Sequence, residues 1–344
     1  MQKLPKHILV IRLSAMGDVA MTAPVIRAFT EQYPNVRLTV LTREGFSAIF
    51  RDLKNVSVYH IHVLDRHNGI RGLYKLSKEL KKLNIDAIAD LHNVLRSKVI
   101  KLFLNKRPFL QIDKGRSEKK ALISGKRYSQ LKSTHQRYAE VFKNLGYPID
   151  LEDPKFPEKA NLNPQSTEML GEFKTLIGIA PFAAYKSKTY SFKQMKHVLK
   201  LLDDDCKIVL FGGVEEKSQL DGLIADQTNV INLAGKLTLS EELDVISNLD
   251  IMLSMDSANA HLAAMLGVQV VTLWGVTHPF TGFYPYNQSV ENALLANKTQ
   301  FPKVPTSVYG NKFPKGYENA INSIEPERIV SKLKSLLTHH HNQH

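Results

Sequence analysis

The 344-residue sequence contains a single cysteine, Cys206, and a single tryptophan. One cysteine excludes a disulfide-bonded scaffold and a zinc site built on cysteines, and it agrees with a reducing compartment. Long hydrophobic runs are also missing: the apolar run at residues 7–11 ends at Arg12, which is too short for a signal peptide. The most apolar stretch, residues 262–276, falls short of the ~18 residues that a membrane span needs. We therefore expect a cytoplasmic protein.

Acidic residues are few relative to basic ones, with 33 Asp and Glu against 46 Lys and Arg and a formal net charge of +13. The excess is concentrated in residues 96–143, where fourteen basic residues stand against three acidic ones, a balance of +11. This basic segment is either a solvated face or a field for a polyanion such as a phosphorylated glycolipid or an anionic membrane surface. Nucleic acid is not expected, because no RNA- or DNA-binding motif accompanies the charge.

Short apolar, β-branched runs alternate with helical patterns on both sides of a proline-rich stretch at residues 147–165. The alternation predicts two parallel sheets flanked by helices, with strands buried on both faces. The predicted strands are 8–13, 36–41, 56–61, 87–91 and 109–112, then 176–180, 207–211, 230–233, 251–254 and 268–274. We expect one domain at residues 1–155, a second at 156–325, and a closing amphipathic helix with a tail at 326–344.

The first predicted strand ends in the sequence RLSAMGDV at residues 12–19. Open parallel sheets bind ligands at the carboxyl ends of their strands, which is where this turn falls. The turn lacks the Gly-x-Gly-x-x-Gly pattern of a dinucleotide site. Asp18 is either a functional carboxylate or a cap on the following helix, since an acidic side chain there satisfies free N–H groups.

A second motif, SMDSANAHLAAMLG at residues 254–267, joins a predicted strand to a helix that begins with small residues. Free N–H groups at such a helix start form an anion site, and small side chains let a phosphate approach. Capping is the alternative role for Asp256 and Ser257, and a structural hydrogen bond is the alternative role for His261.

Two further segments follow predicted strands of the second set. Lys186 and Lys188 lie just past a strand end, and a lysine there is a suitable point charge for a phosphate. Glu215 and Glu216 follow a Gly-Gly pair, where an acidic side chain either holds a ribose hydroxyl or begins a helix.

Taken in order, these motifs resemble glycosyltransferase family 9, the bacterial ADP-heptose:lipopolysaccharide heptosyltransferase family. The resemblance rests on residues 12–19, the Lys-x-Tyr segment at 188–190, the Gly-Gly-x-Glu segment at 212–215, the helix at 256–264 and the WGVTHP loop at 274–279. It implies the GT-B fold, with two Rossmann-like domains whose parallel sheets face each other across a cleft. It also implies an inverting, metal-independent transfer of a heptose or related sugar from an ADP-sugar to the lipopolysaccharide inner core, with the ADP-sugar as co-substrate and no other cofactor.

The resemblance also assigns site residues. Asp18 would be the general base, and the acceptor-binding residues would be Arg12, Ser14, Met16 and Gly17. The donor-binding residues would be Lys188 or Lys186 and Ser257 with Ala258 for the diphosphate, Asp256 for the sugar hydroxyls, Glu215 or Glu216 for the ribose, and Leu237 for the adenine, together with His261 and Thr277. The chain departs from the family where many relatives read Asp-Thr-Gly-Pro, because a Cβ at Ala258 narrows the approach of the backbone to a phosphate. It also lacks the cysteines that relatives carry near residues 305–310.

The partners that the resemblance implies are a nucleotide-sugar donor and an anionic glycolipid acceptor of the Kdo–lipid A type. The basic segment would suit that acceptor, and we expect a monomer in peripheral contact with the cytoplasmic face of the inner membrane. Two alternatives stay open at this point. One is a GT-B enzyme that resembles nucleotide-sugar epimerases, and the other is a non-enzymatic polyanion-binding protein.

Overall fold

The computed structural model describes residues 4–224 and 227–341, and the chain divides into two compact units. The first unit comprises Met1–Lys114 and Lys132–Phe156, and the second comprises Gly115–Leu131 and Pro157–His344. Within the described ranges, every helix is too short or too polar to cross a bilayer.

The first unit contains a five-stranded parallel sheet with the strand order β3-β2-β1-β4-β5. Its strands are β1 (His7–Ile11), β2 (Arg37–Thr42), β3 (Val56–His60), β4 (Ala87–Asp90) and β5 (Phe109–Gln111). Its helices are α1 (Met16–Ala20), α2 (Thr22–Gln32), α3 (Gly69–Lys81), α4 (Leu95–Phe103) and α6 (Thr134–Asn144). Strands β1 and β4 are buried along their whole length, as expected for central strands covered by helices.

The second unit contains a six-stranded parallel sheet with the order β11-β10-β9-β6-β7-β8. Its strands are β6 (Thr175–Ala180), β7 (Cys206–Leu210), β8 (Val230–Asn232), β9 (Ile251–Met255), β10 (Gln269–Trp274) and β11 (Ala293–Leu295). Its helices are α5 (Arg116–Ile123), α7 (Pro164–Leu170), α8 (Phe192–Leu201), α9 (Lys217–Ile224), α10 (Leu239–Ser247), α11 (Ala258–Met265) and α12 (Pro326–His341).

Each sheet has a point where the strand order reverses, and the loops that leave the strands there diverge to open a crevice. In the first unit this point lies between β1 and β4, and in the second it lies between β6 and β9. The turn after β1 carries Asp18, while the segments after β6 and β9 carry Lys188 and Asp256. The topology therefore puts three of the predicted site residues at ligand-binding edges.

All ten predicted strands are present in the structure, and β11 is the strand that the sequence did not reveal. The expected domain boundary is wrong for residues 115–131, which belong to the second unit. They are held there by the Leu131 N–H, which donates to the Phe280 carbonyl at 3.0 Å, and by the Lys119 ammonium, 3.9 Å from the centroid of the Phe283 ring. The basic segment is thus divided between the two units, and it does not belong wholly to the N-terminal domain as expected.

Candidate functional site

The turn after β1 holds Asp18 in an ion pair with Arg12. A guanidinium nitrogen of Arg12 lies 2.6 Å from Asp18 Oδ2, and the Asp18 side chain is 30% exposed. The same oxygen accepts the Ala15 N–H at 3.3 Å, so Asp18 also takes the capping role. Among residues 4–224 and 227–341, nothing donates a hydrogen bond to Asp18 Oδ1. One carboxylate oxygen is therefore fixed and the other is available to a ligand.

The Arg12 side chain is fixed by burial and by a hydrogen bond to the backbone that follows β4. It is buried, and Nη1 donates to the Leu91 carbonyl at 2.7 Å. Burial disfavours its charged form, but the nearby Tyr138 and Asp18 more than offset that penalty, and the pKa of Arg12 lies above its ordinary value. The Tyr138 hydroxyl donates to the Asp18 carbonyl at 3.2 Å. Arg12 and Tyr138 thus hold the side chain and the backbone of Asp18 separately.

His92 lies beside this cluster, and the sequence motifs did not point to it. Its Nδ1 accepts the Leu13 N–H at 3.4 Å, and the side chain is buried. Burial, helped by the charges of Arg12 and Lys114, lowers the pKa of His92 to about 3. A neutral imidazole therefore lies next to the Arg12–Asp18 pair at physiological pH. The predicted acceptor residues Ser14, Met16 and Gly17 are half-buried in the same turn.

In the second unit, Lys188, Asp256 and Thr277 form one cluster. The Lys188 ammonium donates to the Asp256 carbonyl at 2.7 Å and lies 3.2 Å from Asp256 Oδ2. The Thr277 hydroxyl donates to the same Oδ2 at 2.8 Å. Lys188 is 9% exposed, whereas Lys186, on the same 3-10 turn, is exposed. Of the two predicted lysines, the structure brings only Lys188 to Asp256.

A glycine in the C-terminal part of the chain covers Lys188. Gly310 has a φ of +89°, and a Cβ there would lie 2.7 Å from Lys188 Cγ. The Gly310 carbonyl accepts the Ser187 hydroxyl at 2.5 Å, and the Gly310 N–H donates to the Ser307 hydroxyl at 2.9 Å. The loop through Gly310 therefore fixes the lysine stem, and only glycine fits at this approach.

Helix α11 starts beside this cluster. Ser257 precedes the helix and contacts the Ser254 hydroxyl at 3.1 Å, and its side chain makes no capping hydrogen bond. Ala258 is half-buried at the first helical position, and His261 is buried one turn further on. The first N–H groups of α11 thus lie next to an ammonium group, which is an arrangement that suits a phosphate.

The loops after β7 and β8 meet at Val214 and Gly235. A Cβ on Gly235 would lie 3.2 Å from Val214 Cγ2, so the backbone there lies close to Val214. Glu216 accepts the Gly213 N–H at 2.7 Å and serves as a cap, while Glu215 is exposed. Leu237, in the loop that follows, is half-buried, and Val214 is 69% exposed. Glu215 is therefore available to a ligand, whereas Glu216 is not. The exposed Val214 side chain is a further candidate contact that the sequence motifs did not indicate.

Within the described ranges, no three His, Cys, Asp or Glu side chains are grouped so that they could hold a metal ion. The chemical groups at the two sites are a carboxylate in the first unit, and an ammonium, a hydroxyl and helix N–H groups in the second. These are groups that accept a proton from a hydroxyl and bind a diphosphate, respectively.

Comparison with solved structures gives the fold. A glycosyltransferase family 9 protein from Veillonella parvula has a TM-score of 0.73 and 18% identity, and the match covers 97% of each chain. The heptosyltransferase WaaC from Escherichia coli with ADP has a TM-score of 0.70 and 18% identity, over 96% of this chain and 99% of that one. The fold is the GT-B fold of glycosyltransferases.

Sequence comparison then gives the family. The family profile described as glycosyltransferase family 9 (heptosyltransferase) matches residues 73–312. The lipopolysaccharide core heptosyltransferase OpsX from Haemophilus influenzae is 23% identical over 96% of this chain and 97% of that protein. The chain belongs to glycosyltransferase family 9, and it is a glycosyltransferase rather than an epimerase or a non-enzymatic binding protein.

Proposed function

We propose that this protein is an inverting, metal-independent glycosyltransferase. It moves a heptose or a related sugar from an ADP-sugar to the lipopolysaccharide inner core. The observation that carries the proposal is that Asp18 is both fixed and accessible. Arg12 lies 2.6 Å from its Oδ2, and 30% of the side-chain surface is exposed. The substrate classes are those that the names of its relatives give, a lipopolysaccharide core heptosyltransferase and a heptosyltransferase with ADP.

In this mechanism Asp18 Oδ1 takes the proton from the acceptor hydroxyl as that oxygen attacks the anomeric carbon of the donor sugar. The bond from the anomeric carbon to the diphosphate oxygen breaks at the same time, and ADP leaves with that electron pair. Attack from the face opposite the leaving group inverts the anomeric centre. Arg12 and Tyr138 position the base, so no reorganisation of Asp18 is needed during the step.

Lys188 and the start of α11 stabilise the leaving diphosphate. The ammonium supplies a full positive charge and the helix N–H groups supply hydrogen-bond donors. Together they stabilise the negative charge of the diphosphate, as a bound metal ion would. Asp256 holds the sugar hydroxyls through the carboxylate oxygen that is not bound by Thr277. Glu215 accepts a ribose hydroxyl, and the adenine lies against Leu237 and Val214.

The test is the release of ADP from ADP-heptose with a heptose-free lipopolysaccharide core as acceptor. We expect acceptor-dependent release that is unchanged by EDTA, together with a transferred sugar of inverted configuration. Release that requires a divalent cation would contradict the metal-free mechanism. A preference for a UDP- or GDP-sugar would contradict the donor.

We also propose that the first unit contacts an anionic membrane surface through one face of α3 and α4. Leu95 and Leu102 are one heptad apart on α4 and are 78% and 72% exposed. Ile70, on α3, is 69% exposed, and the ring of Tyr74 packs on Phe103 of α4 with centroids 5.3 Å apart. Exposed large apolar side chains on adjoining helices are typical of an interaction surface.

The charges on these two helices suit anionic lipid headgroups. Helix α4 carries no acidic residue, and the one acidic residue of α3, Glu79, is bound by the Tyr59 hydroxyl at 2.7 Å and by Arg66 at 2.6 Å. The basic residues on the two helices are Arg71, Lys75, Lys78, Lys81, Arg96, Lys98 and Lys101. Such a protein would work at the cytoplasmic face of the inner membrane, where a lipid-anchored acceptor lies.

Vesicle flotation tests this contact. We expect the protein to float with phosphatidylglycerol-containing vesicles and not with phosphatidylcholine vesicles, and Leu95→Ser/Leu102→Ser to lose most of the binding. Val290→Ser, at another exposed apolar residue, serves as control. We expect a monomer in sedimentation without vesicles. Equal flotation of the double variant would contradict this face.

A further inference from the structure

A cavity in the second unit lies between the end of α5 and the segment that follows β11. Its volume is about 670 Å³, and it contains none of the donor-binding residues named above. Its cationic lining comes from Lys298, Lys303 and Lys312, and no acidic residue of the described chain lines it. Tyr128 and Phe313 supply aromatic walls. The cavity thus combines uncompensated positive charge with flat apolar surfaces.

Tyr128 is held in place from two sides. The Lys298 ammonium lies 3.7 Å from the centroid of its ring, a cation–π contact. Its hydroxyl lies 3.0 Å from His278 Nε2, and His278 Nδ1 accepts the Phe280 N–H at 3.1 Å. Burial lowers the pKa of His278 to about 4, so the imidazole is neutral and its proton is on Nε2. The Tyr128 hydroxyl therefore accepts from His278 and keeps its own proton for another acceptor.

The segment that follows β11 connects the cavity to the cluster of Lys188, Asp256 and Thr277. The N–H groups of Thr306 and Ser307 both donate to the Val276 carbonyl, at 2.9 and 3.1 Å. The next residue after Val276 is Thr277, which binds Asp256, and the loop continues to Gly310 over Lys188. The cavity is thus connected to the donor-binding residues by hydrogen bonds between the segment at 306–307 and the residue before Thr277.

We propose that this cavity binds an anionic saccharide, a sugar that carries a phosphate or a carboxylate group, as a subsite for the acceptor. The inference rests on the proposed function for the identification of the ligand as acceptor. Lysines act as point charges for the acidic group. The aromatic and proline surfaces cover the sugar ring, and the Tyr128 hydroxyl donates to one of its oxygens.

Calorimetry with small probes tests the subsite directly, with glucose 6-phosphate, glucuronate, glucose and inorganic phosphate as ligands. We expect at least one of the two anionic sugars to bind and glucose not to bind. In Lys303→Gln/Lys312→Gln the dissociation constant should rise at least about tenfold, because two charge-assisted contacts are lost. Lys174→Gln/Lys196→Gln, which removes two exposed lysines of the same unit outside the cavity, should bind like wild type.

Titration with ADP in parallel distinguishes this inference from the proposed function. ADP binding without anionic-sugar binding would overturn the subsite and leave the proposed function standing. Sugar binding that is indifferent to Lys303 and Lys312, or inorganic phosphate binding as tightly as glucose 6-phosphate, would also overturn it. The tighter of the two sugars identifies the acidic group as phosphate or carboxylate.

Discussion

Lys188 and Lys186 offer a matched pair for testing how the donor diphosphate is bound. They lie two residues apart on one 3-10 turn, but Lys188 is 9% exposed and ion-paired with Asp256, whereas Lys186 is exposed. The perturbation is Lys188→Gln, with Lys186→Gln as control. Glutamine keeps a donor for the Asp256 carbonyl while it removes the positive charge.

The magnitude follows from the environment of the lysine. A hydrogen bond to a charged group contributes about 1.5–3 kcal/mol, and each 1.4 kcal/mol is a factor of ten in affinity. We therefore expect the dissociation constant of ADP to rise by about 10–100-fold in Lys188→Gln. An exposed lysine in water contributes far less, so Lys186→Gln should change the constant by less than about threefold.

The assay is calorimetric titration of ADP, with thermal unfolding to show that both variants are folded. A larger loss of affinity in Lys186→Gln than in Lys188→Gln would refute the reasoning, because it would mean that exposure, not the contact with Asp256, selects the phosphate-binding lysine. Unchanged affinity in both variants would remove the lysines from the donor site.

Two further predictions use other parts of the second unit. Gly310→Ala should weaken ADP binding, because the new Cβ would lie 2.7 Å from Lys188 Cγ; Gly316→Ala has a similar positive φ with no atom near its Cβ, and in calorimetry it should bind ADP like wild type. Burial lowers the pKa of His278 to about 4, so the unfolded chain takes up a proton between about pH 6.5 and 4 that the folded chain does not. The free energy of unfolding should therefore fall by up to about 3 kcal/mol as the pH falls through that window. Urea titrations at several pH values should show that His278→Gln lacks this part of the pH dependence. The same pH dependence in wild type and His278→Gln would contradict the burial argument.

The strands were predictable from the sequence, because a parallel sheet covered on both faces leaves continuous apolar, β-branched runs. Strand β11 was not, since Ala293–Leu295 contains no β-branched residue to mark it as a strand. The sequence also did not predict that residues 115–131 belong to the second unit. Their position depends on pairings far apart in sequence, such as Leu131 with Phe280, that no local pattern encodes.

The candidate site was predictable in position but not in detail. Strand-to-loop junctions located Asp18, Lys188 and Asp256, because parallel strands end at one edge of a sheet. Burial then separated Lys188 from Lys186, and capping separated Glu216 from Glu215, which are properties of tertiary structure. His92 carried no signal in the sequence, because its importance comes from packing beside Leu13.

The central claim is that Asp18 is the general base, and the most direct measurement compares turnover and donor binding in Asp18→Asn. Asparagine keeps the size of the side chain but does not accept the proton. We expect turnover to fall by about 10²–10⁴, the usual contribution of general-base catalysis, while the dissociation constant of ADP stays within about twofold. Asp52→Asn, at an exposed carboxylate of the same unit, should keep wild-type turnover. Near-wild-type turnover in Asp18→Asn would contradict the account and leave Asp18 as a helix cap paired with Arg12.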